Sequence, residues 1–302
     1  MKIFMTGGTG FVGTSLTRGL AEKGHEVTVM TRATGAGQPL PGGISYLEGD
    51  PSMTGVWQDA VAGNDIIINL AGASIFKRWT KSYKEKIRLS RILTTRNLVE
   101  ALKARRGRET LFISTSAVGY YGFREDEELD EGSPPGEDFL ARVSQEWEKS
   151  ALEAEASGVR VVILRFGIVL GKYGGALKQM LPLFKAYLGS PLGSGKQWFS
   201  WIHEKDLINI YLYLMEQDGL SGPINCTAPN PIRNREMTKA LGEVLGKPTF
   251  MPPVPGFIIR MVIGEFGSTL LRGQKALPKR LLKRGFQFQF PEIREALMAL
   301  LG

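Results

Sequence analysis

Apolar positions along the chain follow two alternating rhythms. Residues 2–6 (KIFMT) form a short apolar run ending in a glycine-rich turn, after which Phe11, Val12, Leu16 and Leu20 fall at helical spacing over 11–23. Residues 25–31 (HEVTVMT) alternate and are rich in β-branched side chains, as a strand requires. Further strands are predicted at 44–48, 65–70 (DIIINL), 111–114 and 159–166 (VRVVILRF), with helices over 80–105 and 138–157. Near-continuous apolar strands alternating with helices suit a parallel sheet covered on both faces. The predicted fold class is α/β, a doubly wound parallel, Rossmann-type sheet with a smaller C-terminal lobe.

Beyond Gly171 the texture changes. Glycine-rich turns at 171–175 and 189–195 and a proline-dense stretch at 248–255 separate helical segments around 176–188, 205–217, 234–245 and 291–301. Residues 1–170 are therefore expected to form the Rossmann-type domain. Residues 171–302 are expected to form mostly a substrate-side lobe, with a part near 200–230 returning to the main sheet and a cleft between the two.

Composition narrows the chemistry. The chain has 302 residues, 43% of them hydrophobic and 23% charged, enough to bury a sizeable core. The single Cys226 cannot form an internal disulfide, and His25 and His203 alone cannot build a Cys/His metal site, so no metal is expected. With no signal-like apolar run and no span of about eighteen apolar residues, the protein is expected to be cytoplasmic, without a membrane partner. The net charge of +8 favours anionic ligands. Much of it lies in 77–91 and 272–284. Through the first segment and just beyond it, Trp79, Ile87, Leu89 and Leu93 recur at near-helical spacing, which describes a helix with a basic solvated face, so no nucleic-acid partner is expected. Helical faces such as 80–105 could pair in a homodimer.

The turn after the first strand reads Thr6-Gly7-Gly8-Thr9-Gly10-Phe11-Val12-Gly13, satisfying both G-x-G-x-x-G and G-x-x-G-x-x-G. It follows a strand and opens a helix, the context in which the pattern carries a mechanism. Glycines allow the tight turn, the approach of backbone to a pyrophosphate and close helix–strand packing, while the helix N-terminus offers free N–H groups. Gly7, Thr9, Gly10, Phe11, Val12 and Gly13 are thus candidate dinucleotide contacts. A site for NAD usually ends its second strand in Asp or Glu; here Arg32 stands there. A guanidinium suits a ribose 2′-phosphate, so the expected cofactor is NADP(H). Asp50 could accept from the adenine amino group or serve a turn, and Leu70, Ala71 and Gly72 would put small backbone groups beside the cofactor.

These residues, with NLAG (69–72), the strand LFISTSAVGYYG (111–122) and WIHEKD (201–206), resemble an extended short-chain dehydrogenase/reductase. More narrowly, SAVGYYG, DFLARVSQEWE (138–148), PLGSGKQWFSWIH (191–203), NCTAPNPIRN (225–234) and 275–297 are similar to its atypical epimerase-like subfamily of NADP-dependent oxidoreductases within the NAD-dependent epimerase/dehydratase family. The resemblance covers essentially the whole chain. It implies an NADP(H)-dependent oxidoreductase or epimerase-like enzyme acting on a small carbonyl or hydroxyl compound. Epimerisation or dehydration with retained cofactor is a further reading.

In the broader family a Ser or Thr, a Tyr and a Lys four residues later carry proton transfer. Here Ser116 can take the first role by resemblance, but no Y-x-x-x-K follows. Placing Glu148 on the family's helix Glu puts Leu140 and Ser144 at the Tyr and Lys sites; one register earlier puts Phe139 and Val143 there. A tyrosine without the lysine is ionised to only about one part in 10³ at pH 7, which handicaps oxidation more than reduction. Tyr120 and Tyr121 are the nearest candidate acids and His203 the next. Ser114 and Arg165, at strand ends, are candidate cofactor contacts, Arg165 reaching nicotinamide or a substrate phosphate. Lys196, Trp198, Trp201 and His203 are candidate substrate contacts, with plain core packing the competing role. The missing Tyr/Lys pair also motivates an alternative: a catalytically silent NADP(H)-binding sensor.

Overall fold

The structure, a computed structural model, describes residues 1–32, 42–104 and 109–302. In chain order the first half runs β1 (Lys2–Thr6), α1 (Phe11–Glu22), β2 (Glu26–Thr31), β3 (Ile44–Glu48), α2 (Trp57–Val61), β4 (Ile66–Asn69), α3 (Lys81–Lys103) and β5 (Leu111–Ala117). The short β6 (Glu128–Leu129), α4 (Phe139–Leu152) and β7 (Arg160–Phe166) follow. Seven strands make one parallel sheet in the order β3-β2-β1-β4-β5-β7, closed at its edge by β11 (Gly222–Cys226). The order reverses between β1 and β4. In open sheets of this kind a ligand sits at the strands' carboxyl ends beside that reversal.

Alternate strand residues supply the two faces, as the pleat requires. Ile3, Met5, Val29, Ile68 and Val162 meet α1 and α6 (Glu204–Glu216) on one side, through Leu16, Leu20, Ile210 and Leu214. Phe4, Ile67, Phe112 and Val161 meet α2, α3 and α4 on the other, through Trp57, Leu98, Leu102 and Ala151. Each such side chain contributes about 1.5–3 kcal/mol on burial.

The lobe is built from β8 (Ile168–Gly171), α5 (Gly175–Lys185), β9 (Trp198–Phe199), β10 (Trp201–His203), β12 (Ile232–Arg233) and α7 (Asn234–Leu245). It continues with α8 (Gly256–Ile263), α9 (Glu265–Leu270), β13 (Lys275–Ala276), α10 (Lys279–Lys283) and α11 (Ile293–Leu301). Leu170, Leu177, Trp201, Met237, Leu241 and Leu297 form its own core. Residues 204–226, α6 and β11, pack on the main sheet instead. Pro223 faces Ile163 on that edge strand, where a missing N–H leaves no ladder bond unmade.

Several boundaries differ from the sequence expectation. The predicted helix over 138–157 is α4 to Leu152 and then a 3₁₀ turn, Glu153–Ser157, stopped by Gly158 at φ +73°. The helices α2, α8, α9 and α10 have only five to eight residues, too short to show a period. Among the described residues no helix is long and apolar enough to cross a membrane.

Candidate functional site

The turn leaving β1 is pressed onto the end of β4. Gly7 has φ +73°, and a Cβ there would lie 2.7 Å from the Leu70 carbonyl carbon and 2.8 Å from Ala71 N. A Cβ on Gly13 would run into the Gly7 carbonyl oxygen and come within 2.6 Å of Gly8 Cα. Only glycine fits either place. Gly10 caps α1 without a side-chain bond, and the first turn holds no acidic residue, so its free N–H groups and positive dipole end are open to an anion. Beneath them, Thr6 Oγ1 donates to Asn69 Oδ1 at 2.8 Å, Asn69 Nδ2 to Thr95 Oγ1 at 2.8 Å and Trp147 Nε1 to Thr95 Oγ1 at 2.9 Å. This buried relay fixes β1 and β4 against α3 and α4. Ser114 belongs to its fringe, 3.5 Å from Asn69 Nδ2 and fully buried.

Arg32 follows β2 and Asp50 follows β3, both exposed on one rim. Asp50 Oδ1 accepts from Ser52 Oγ at 2.7 Å and Ser52 N at 2.9 Å. The Ser52 hydroxyl bond foremost, then the Ser52 amide and the charge of Arg32, hold the Asp50 carboxyl below its usual range against partial burial. The arrangement gives Asp50 a turn-stabilising role made through Oδ1.

A cleft of about 740 Å³ opens beside the start of α1, lined by Thr9, Gly10, Phe11 and Thr14 from the turn and helix. Arg18, Lys77 and Lys178 bring three cations to it from α1, the segment after β4, and α5. The Phe11 ring lies against Gly171, Gly174 and Gly175, so a Cβ on any of them would collide with it. That contact seats the beginning of α5 on the beginning of α1. The three cations lie far apart along the chain, and no spacing in the sequence announces them.

Ser116, Tyr121 and Arg165 come together, but inside the protein. Ser116 Oγ donates to Glu148 Oε1 at 2.6 Å; Arg165 grips the same carboxylate through Nε at 2.9 Å and Nη2 at 2.8 Å. Arg165 Nη1 donates to the Tyr121 hydroxyl at 3.0 Å, and that hydroxyl donates to Asn225 Oδ1 at 2.7 Å. Ser116 is 1% exposed and Arg165 3%. Burial pushes the Tyr121 phenol up to about 12, outweighing the nearby Arg165 and Asn225. Arg165 therefore does not reach toward a nicotinamide or phosphate, as the sequence suggested; a buried guanidinium requires a partner, and Glu148 is it. Glu148 and Asn225 are the members of this network that sequence reasoning missed. Tyr120 differs from Tyr121: it is half-buried, its ring covers the Arg165 guanidinium at 3.5 Å, and its hydroxyl has no protein partner among the described residues.

On α4, Asp138 caps the helix by accepting from Leu140 N at 2.9 Å and Ala141 N at 3.1 Å. Leu140 and Phe139 pack against Trp79 and Phe266, and Ser144 and Val143 are buried. In one register Leu140 and the buried Ser144, in the other Phe139 and Val143, thus occupy the positions of the usual pair, and neither holds a Tyr or a Lys.

The substrate-side candidates separate. Trp201 is fully buried, its indole N–H donating to Asn230 O at 3.2 Å. His203 is 1% exposed, stacks on Phe290 at 3.9 Å, and caps α6 by accepting from Lys205 N at 3.0 Å through Nδ1. Burial first, and the Lys205 charge second, lower its pKa to about 4. Both are interior packing and capping groups, the competing role considered for them. Trp198 is half-buried, bonded to Asp126 at 2.9 Å and flanked by the Arg233 guanidinium at 3.9 Å; Lys196 is exposed.

The fold has clear relatives. Residues 3–226 match the model of the NAD dependent epimerase/dehydratase family, and residues 254–300 match a domain of unknown function. The chain is 40% identical to the chloroplastic SDR39U1 homolog of Arabidopsis thaliana, an epimerase family protein, over 100% of this chain and 87% of that one. It is 37% identical to the epimerase family protein YfhF of Bacillus subtilis, over 100% and 98%. The crystal structure of human epimerase family protein SDR39U1 with NADPH superimposes with a TM-score of 0.87 at 35% identity, covering 99% of each chain. With a parallel sheet reversing at β1 and β4 and a glycine turn at that point, the chain belongs to the NAD dependent epimerase/dehydratase family.

Proposed function

We propose that this protein binds NADP(H) across the β1–α1 turn and acts as an epimerase-like oxidoreductase on a small carbonyl or hydroxyl compound. The observation that carries the reading is the glycine cradle: at Gly7 and Gly13 a single added carbon would collide with the backbone of Leu70 and Ala71 and of the turn itself, so only glycines let the turn fold this tightly, and it leaves the uncapped start of α1 open to a pyrophosphate. The residues present fit a dinucleotide. Gly7, Gly10 and the first amides of α1 would hold the pyrophosphate, Arg32 the 2′-phosphate, and Leu70, Ala71 and Gly72 the backbone wall opposite. Arg18, Lys77 and Lys178 add positive potential around the cleft. A bound nicotinamide would supply the hydride acceptor or donor. The NADPH carried by the human relative supports the same choice.

For proton transfer, Tyr120 Oη is the hydroxyl left free of the buried network, and the Arg165 guanidinium against its ring holds the side chain in place beside that network. Ser116 Oγ is committed to Glu148, which favours a second reading: NADP(H) bound by a chain that no longer turns over. Nicotinamide absorbance followed across a panel of carbonyls and alcohols, beside binding affinities, separates the two. Turnover abolished by Tyr120→Phe supports the enzyme, whereas tight NADPH binding with no turnover of any panel member supports the sensor.

A further inference from the structure

Two stretches of the lobe carry no carboxylate. Residues 171–203 hold Lys172, Lys178, Lys185 and Lys196, and residues 244–264 hold Lys247 and Arg260, without one Asp or Glu. The fold lays these stretches side by side. Val254 N donates to Pro191 O at 2.9 Å, Ser190 Oγ to Pro252 O at 2.6 Å, and Lys247 Nζ to the Tyr187 hydroxyl at 2.8 Å. Leu271 sits beside both Gly193 and Gly256, joining the start of α8 to the same surface. The carboxylates that bracket the second stretch, Glu243 and Glu265, are paired with Lys239 and Lys84.

Large apolar side chains stand out from this acid-free strip. Tyr187, Leu188, Phe250, Phe257, Met261 and Val262 are each more than half exposed, Phe250 at 79%. Among the described residues Tyr187 is also the one non-glycine with positive φ, +63°, a conformation an aromatic residue adopts only when its surroundings impose it. Isolated apolar side chains on a surface need no explanation; exposed apolar side chains gathered on two neighbouring stretches whose only charged residues are cations do.

We infer that this face docks on an anionic lipid surface. The aromatic and aliphatic tips enter the headgroup layer, and Lys185, Lys247 and Arg260 lie against lipid phosphates. A second copy of the chain is a poorer occupant, because symmetric pairing sets cations opposite cations with no carboxylate to answer them. The sequence reading expected no membrane partner because no segment is long enough to span one; a face that lies on a bilayer needs no such segment.

The test is sedimentation of the full chain with vesicles of phosphatidylcholine alone and of phosphatidylcholine with phosphatidylglycerol. The protein is expected to pellet with the anionic vesicles only and to be released by salt. Phe257→Ser with Met261→Ser, and separately Lys185→Glu with Arg260→Glu, should each weaken binding about tenfold while melting temperature and NADPH affinity stay at wild-type values. Absence of binding to anionic vesicles at low salt, or binding that both double variants retain, overturns the inference. So does polyglutamate binding as tight as vesicle binding, or a lipid-free dimer that Phe257→Ser with Met261→Ser converts to monomer.

Discussion

The Tyr121 hydroxyl donates to Asn225 Oδ1 at 2.7 Å, joining the turn after β5 to the edge strand β11 across 104 residues of chain. Arg165 Nη1 donates to the same hydroxyl at 3.0 Å. Two long-range connections converge on one buried oxygen, which makes this tyrosine part of what holds β11 on the sheet.

Tyr121→Phe is therefore expected to lower stability by about 1–2 kcal/mol, the usual loss when a buried hydrogen-bonded hydroxyl is deleted, with NADPH affinity and turnover close to wild type. Urea unfolding and steady-state rates measured on the same preparation check this. Unchanged stability with turnover lost would make Tyr121 a catalytic acid after all.

Glu148→Ala should be more damaging, by about 3–5 kcal/mol, because it leaves Arg165 buried without its carboxylate and frees Ser116 Oγ at once. The midpoint of denaturant unfolding reads it. A loss below that of Tyr121→Phe would show that water or another acceptor takes over the guanidinium.

His203 gives the protein an acid-side instability. Its pKa is lowered from 6.5 to about 4 in the fold, so between those values the unfolded chain binds more protons, and stability falls as pH drops from about 7 to about 4. The loss amounts to roughly 2–3 kcal/mol. Asn is a good N-cap that does not titrate, so His203→Asn should flatten this part of the stability-against-pH curve. A curve of unchanged slope in the variant would assign the loss to other groups.

Gly13→Ala should damage fold and cofactor site together, since the added methyl meets the Gly7 carbonyl oxygen. NADPH affinity is expected to fall by at least about tenfold, with about 1–3 kcal/mol of stability lost to overpacking. Gly24→Ala is the useful contrast: its φ is +81° but no atom lies within 4 Å of its Cβ position, so it should carry backbone strain while leaving NADPH affinity intact.

What was legible in the sequence is what local pattern encodes. DIIINL and VRVVILRF announce buried parallel strands because both faces are covered, and the glycine turn announces its site because all its parts lie within eight residues, Thr6 to Gly13. The strand GPINC (222–226) was hidden by its Gly and Pro, tolerated only at an edge. The network from Ser116 through Glu148 and Arg165 to Tyr121 and Asn225 joins β5, α4, β7, the turn after β5 and β11, and nothing local reveals that a polar residue's partner waits elsewhere in the fold. Trp201 and His203 resembled pocket residues in a linear reading, yet β10 turns both inward against the lobe core and Phe290.

The claim on which the functional reading stands is that Arg32 and the cradle of α1 together hold a dinucleotide bearing a 2′-phosphate. Calorimetric titration of wild type and Arg32→Asp with NADPH and NADH tests it most directly. Wild type should bind NADPH at least about tenfold more tightly than NADH, and the substitution should abolish or invert that preference by removing a charge-assisted pair. Equal affinities in the wild type, a preference that survives Arg32→Asp, or no heat with either nucleotide would contradict the account.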